Sequence, residues 1–177
     1  MTDYLNVAVL DVVKWVGDEL FTSGVFKKAD YRNIEGISNF VPVVPIQQVP
    51  EANNIFGEKP YVVYDFMPVY KRDDQYFMMR DNLSFTVLST NYTKVLQVQN
   101  LFVDMFRRLD LSAREINYRL NELGHHTYNQ FLHFQIVDAL PPDPARDEGG
   151  RYGATVIVEY EYTRPVKSGS YNEGRFA

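Results

Sequence analysis

The chain has 177 residues, 45% of them hydrophobic and including 12 Phe and 13 Tyr, which is enough apolar material for one compact domain with a sizeable core. A formal charge of −5 argues against the clustered Lys/Arg excess with which a protein grips nucleic acid by displacing counterions. The lack of any cysteine excludes disulfides, thiolate zinc sites and thiol nucleophiles, and it is compatible with folding in a reducing cytosol.

In chain order, Leu5, Val9, Val12, Val13, Val16 and Leu20 recur at helical spacing while Asp11, Lys14 and Asp18 share another side. This predicts an amphipathic helix capped by Thr2 or Asp3, with Gly17 as an early end. Acidic Asp3 and the interruptions at Asp11 and Lys14 argue against a secretion signal or a membrane span.

From residue 22 to 60 no period persists, and Pro42, Pro45 and Pro50 punctuate FVPVVPIQQVP. Proline lacks the backbone donor, so this run is expected to be a sheet-edge strand or an extended Pro-rich arm, not an interior strand. Two readings stay open for its apolar residues Phe40, Val41, Val43, Val44 and Ile46: docking on a neighbouring subunit, or lying over their own core.

PYVVYDF reads as a strand and MPVYKRDDQ as the turn beyond it. QYFMMRDNLSFTVLS alternates again through Leu83, Phe85 and Val87, with Asp81 and Asn82 marking a bulge or a break, and it is expected to pair with the preceding strand. The aromatics Phe66, Tyr70, Tyr76 and Phe77 around this turn are interface candidates, with core filling the competing account for Phe66 and Phe77.

After Ser89 or Thr90 as N-cap, Val95, Val98, Phe102, Met105, Phe106 and Leu109 define the strongest helix. Arg107 and Arg108 close it, where cations complement the helix dipole. Ser112 and Glu115 form the pattern of a capping box for a shorter helix through Ile116, Leu120 and Leu123, which Gly124 ends.

FLHFQIV places Leu132, Phe134 and Ile136 on one side, and in YGATVIVEYEY residues Ala154, Val156, Val158, Tyr160 and Tyr162 alternate with polar neighbours. Together they predict a long antiparallel hairpin across the connection from Pro141 to Gly150. Residues 165–177 are expected to form a mobile tail unless a partner orders them. The expected architecture is a single two-layer α+β domain over 1–164, mainly antiparallel sheet packed against helices, with residues 22–60 as the arm or loop insertion.

No catalytic, cofactor or metal site is assigned. His125, His126 and His133 show no recognised ligand spacing, and Asp143, Asp147 and Glu148 fail the calcium-loop order. Gly149, Gly150 and Gly153 precede a strand instead of a helix N-terminus, so they are no phosphate cradle. Glu159 and Glu161 lie about 7 Å apart on one strand face, a distance that suits acid/base chemistry but equally a charged outer face.

The succession VPIQQVPE, PYVVYDF, LSFTVLS, TKVLQVQNLFVDMFRRLD, FLHFQIVDA and YGATVIVEYEYTR resembles the tail-terminator and tail-completion (neck) proteins of tailed bacteriophages. The likeness runs through Arg164 and rests on element order, not on an invariant motif; the long segment 22–60 departs from a minimal terminator. It implies a non-enzymatic virion protein, assembled in the host cytoplasm into a homo-oligomeric, hexameric ring. Such a ring ends tail-tube or sheath growth, meets the head connector, and lets DNA pass through its lumen without specific binding. A head-closure or neck adaptor uses the same physics. The reading from another class is a cytoplasmic α+β domain that binds or modifies a small molecule through His133, Glu159 and Glu161.

Overall fold

Strands β3 (Met78–Ser89) and β5 (Tyr152–Thr163) run antiparallel in unbroken register, with Leu83 opposite Val158, Phe85 opposite Val156 and Val87 opposite Ala154. Period-two alternation on both therefore buries a continuous apolar face. The computed structural model describes residues 8–31, 42–48, 54–67, 78–124, 129–143 and 150–163.

β2 (Tyr61–Met67) adds antiparallel to β3, β1 (Val43–Pro45) adds parallel to β2, and β4 (Gln130–Leu140) flanks β5. The result is a mixed five-stranded sheet ordered β1-β2-β3-β5-β4. With its helices it is an α+β fold, as the sequence leads one to expect. Asp81 and Asn82 do not break β3; Asp81 turns inward and its carboxylate accepts a hydrogen bond from the Tyr162 hydroxyl at 2.9 Å.

Helix α1 (Ala8–Thr22) follows the expected stripe but runs past Gly17, and both Asp11 and Trp15 are fully buried. Asp11 is therefore not on the solvent side. After the short α2 (Lys28–Tyr31) and the strands β1 to β3 comes α3 (Tyr92–Leu111), whose Val95, Val98, Phe102, Met105, Phe106 and Leu109 are wholly buried. Its N-cap is Asn91, which accepts from the Lys94 amide at 3.2 Å; Ser89 serves one step back, accepting from the Asn91 amide.

Helix α4 (Arg114–Glu122) forms without the expected capping box: its N-cap is Ala113, Ser112 Oγ accepts only the Arg114 N–H at 3.4 Å, and Glu115 instead pairs with Arg108 at 3.0 Å. Gly124 does take the left-handed conformation, φ 69°, that terminates the helix. Arg119 grips Asp18 with two hydrogen bonds, 2.8 and 3.2 Å, and Arg108 reaches Glu19 at 2.8 Å, so α1, α3 and α4 are tied along their outer sides.

Phe106 centres the interface between helices and sheet, with ring centroids 5.9 Å from Trp15, 5.7 Å from Phe85 and 6.0 Å from Phe134. A second aromatic chain runs Phe26, Tyr31, Phe56, Tyr61 at spacings of 5.9, 6.1 and 5.0 Å. The Arg151 guanidinium lies over Tyr61 at 4.9 Å. These contacts pull the described parts of 22–60 onto the domain's own core.

The arm reading therefore needs correcting where it is described. Residues Val43–Pro45 are an edge strand of their own sheet, anchored where the Val62 amide donates to the Pro42 carbonyl at 2.8 Å. Val43 and Val44, neighbours on the strand whose side chains point to opposite faces of the sheet, are both buried, Val44 to 4% exposure. Ile46, in the 3-10 turn Ile46–Gln48, is 46% exposed. Phe40, Val41, Tyr70, Tyr76, Phe77, His125, His126, Asp147, Glu148 and residues 165–177 lie outside the described residues.

Candidate functional site

The outer face of the sheet carries the polar residues that alternate with the core. Across β3 and β5, Thr86 meets Thr155, with hydroxyl oxygens 2.9 Å apart, and Asn82 and Arg80 stand opposite Glu159 and Glu161. Arg80 Nη2 donates to Glu161 Oε1, and Arg80 Nε lies 3.6 Å from Glu159 Oε1. The carboxylate pair singled out as a possible acid/base dyad is thus built around a guanidinium that supplies its counter-charge. An ion-pair network on a half-exposed strand face is what this arrangement makes.

His133 is the register partner of Glu161, yet its Nε2 lies 3.6 Å from Asp110 at the end of α3. The structure therefore brings His133, Glu159, Glu161 and Arg80 to one end of the sheet without freeing either carboxylate as a base. Among the described residues no group of three His, Asp or Glu side chains stands close enough to hold a metal ion.

A second polar group lies inside, between α1 and the sheet, and the sequence pattern did not disclose it. Asn129 Nδ2 donates to Asp11 Oδ2 at 2.8 Å, and Asp81, opposite Tyr160 on β5, takes the Tyr162 hydroxyl. Burial pushes the Asp81 carboxyl above its ordinary range, and the Tyr162 hydrogen bond partly opposes this. Burial, then the charge of Asp81, drives the Tyr160 hydroxyl strongly upward. Asp11 precedes Trp15 by one helical turn, the only sequence signal that this acid shares the buried stripe.

The third feature is the sheet's margin at β4. The β4–β5 ladder has two register shifts, between Phe131 and His133 and between Ile136 and Asp138. The first corrects the expected face: Phe131 and Phe134 both point inward, while Leu132 turns out and is 45% exposed. The second shift puts Val137 outside at 54% exposure, and Leu140 is exposed as well. Each inserted residue is an aliphatic presented to solvent.

The ends of this margin are closed by side chains from the helices. The Asn117 amide brackets Phe131, donating to its carbonyl at 2.8 Å and accepting from its N–H at 3.0 Å. Gln99 Nε2 donates to the Leu140 carbonyl at 2.6 Å. Between these clamps the strand has no Lys, Arg or Pro, the residues that ordinarily protect an edge. The opposite margin, β1, is only three residues long and is bounded by Pro42 and Pro45.

At the far end of the β2–β3 pair, Phe66, Met67 and Met79 are also exposed on the strands that flank residues 68–77. No family model matches the chain, and no curated protein matches it in sequence.

Proposed function

We propose that this protein is a structural subunit that acts by lateral association with copies of itself, in the manner of the phage tail-terminator and neck proteins it resembles. In that role a ring, hexameric in the resemblance, ends growth of the tail tube or sheath and meets the head connector within the virion. The observation that carries the reading is the β4 margin: among the described residues it is an edge strand without Lys, Arg or Pro, and it displays Leu132, Val137 and Leu140 to solvent. An exposed aliphatic edge is a liability for a solitary protein, and burial against another chain removes it.

Two further features support this reading over the small-molecule one. Arg80 neutralises Glu159 and Glu161, two of the three polar residues on which the small-molecule reading relies. An overall charge of −5 suits a lumen through which DNA passes without adhering. The interface candidates move accordingly, from Val43 and Val44, which fill the core, to Ile46 and the β4 aliphatics, with Phe40, Val41, Tyr70, Tyr76 and Phe77 kept as proposals.

Light scattering coupled to size exclusion tests the reading, together with negative-stain microscopy of the purified chain alone and beside tail tubes. Closed rings are expected. A monomer at high concentration that forms no ring in either preparation would falsify it.

A further inference from the structure

We propose that residues 164–177 of one copy add as an extended segment along the β4 margin of the next copy. This proposal rests on the ring reading and names the contact that closes it.

A ring needs a heterologous contact, in which two different surfaces meet. Direct edge-to-edge pairing of β4 with a neighbour's β1 does not supply one, because β1 is three residues long and its bounding prolines lack donors. Pairing β4 with its own copy is isologous and stops at a dimer. The occupant must therefore be a segment other than the sheet's second edge.

The course of the chain points to 164–177. Thr163, the last residue of β5, is the register partner of Gln130, the first of β4, so β5 ends beside the head of the β4 margin. Addition to the same copy's β4 is the competing outcome, which the cross-linking below separates from addition to a second copy. At about 3.3 Å per residue, residues 164–177 reach roughly 45 Å, more than the roughly 36 Å spanned by the 11 residues of β4.

Charge and composition also match. Residues 164–177 carry Arg164, Lys167 and Arg175 against Glu173, a basic excess on a chain whose total is −5. The β4 margin offers Asp138 as its only acidic or basic residue besides His133, and Asp110 stands beside His133. Val166, Tyr171 and Phe176 supply apolar groups for Leu132, Val137 and Leu140. Main-chain hydrogen bonds between the Asn117 and Gln99 clamps then give affinity, and the side chains give register.

The cysteine-free chain makes the test direct. Full-length protein carrying Gln135→Cys is mixed with full-length protein carrying Ser170→Cys and oxidised. A disulfide between the two chains is expected at least five-fold above a control pair in which Lys27→Cys replaces Gln135→Cys. Absence of that excess, or a link formed within single chains of the double variant at low concentration, overturns the proposal.

Deletion of 164–177 is expected to leave a folded monomer, with Trp15 fluorescence and circular dichroism unchanged. Arg164→Glu, Lys167→Glu and Arg175→Glu together are expected to weaken association at least ten-fold without truncation. Rings that persist in the deletion variant overturn this proposal and leave the ring reading standing. A full-length chain that stays monomeric overturns both.

Discussion

The hydroxyl of Tyr162 donates to the buried carboxylate of Asp81 at 2.9 Å, joining the end of β5 to the start of β3. Tyr160, directly across from Asp81, keeps a buried hydroxyl with no hydrogen-bond partner among the described residues. Burial raises the Asp81 carboxyl above its unfolded value, so the folded state holds that proton more tightly than the unfolded chain does. The stability this contributes is complete below the ordinary carboxylate value and is lost as pH rises through the folded one.

Asp81→Asn is therefore expected to match or exceed the parent in stability at neutral pH, by up to about 1 kcal/mol. The difference should shrink as pH falls toward 4. Urea unfolding across that range checks it; a difference that grows on acidification contradicts the burial argument. Tyr162→Phe leaves the carboxylate without its donor and should cost about 1–3 kcal/mol at neutral pH.

Phe106 touches Trp15, Phe85, Phe102 and Phe134. Truncation to alanine opens a cavity between helix and sheet and should cost about 3–5 kcal/mol. Trp15 is the single tryptophan and is fully buried, so its fluorescence reports the unfolding transition directly. A loss under about 1 kcal/mol would mean that this cluster is not the centre of the core.

Val44 and Ile46 sit two residues apart on opposite sides of the core boundary. Val44→Asp buries an unpaired carboxylate and should destabilise the fold by more than about 2 kcal/mol. Ile46→Asp should change stability by no more than about 0.5 kcal/mol. Thermal melts of the two variants separate core filling from surface display at this edge.

Val137→Lys places a charge on the exposed margin of β4 and should leave monomer stability within about 0.5 kcal/mol. Self-association should fall sharply, as read by sedimentation velocity. Equal association in the variant and the parent would remove β4 from the interface.

Arg80→Gln leaves Glu159 and Glu161 facing each other without their guanidinium. All three side chains are partly exposed, so the cost at ordinary ionic strength should be about 1 kcal/mol or less. It should grow at low salt, where like-charge repulsion is less screened. Melting temperature against salt concentration checks the slope.

Much of this architecture was legible in the residues alone. Ala154 to Tyr162 and Val95 to Leu109 announce their elements because period is a property of consecutive side chains. The prolines at 42 and 45 likewise announce an edge, since a missing donor is a local fact. What tertiary structure alone decided depends on partners distant in sequence: the parallel docking of β1 on β2, the burial of Asp11 against Asn129, and the Arg80 clamp on Glu159 and Glu161. The two register shifts in β4 belong to the same class. Whether Leu132 or Phe131 faces inward is settled by the β5 residues and the Asn117 amide that meet the strand, and no stretch of β4 read by itself contains that information.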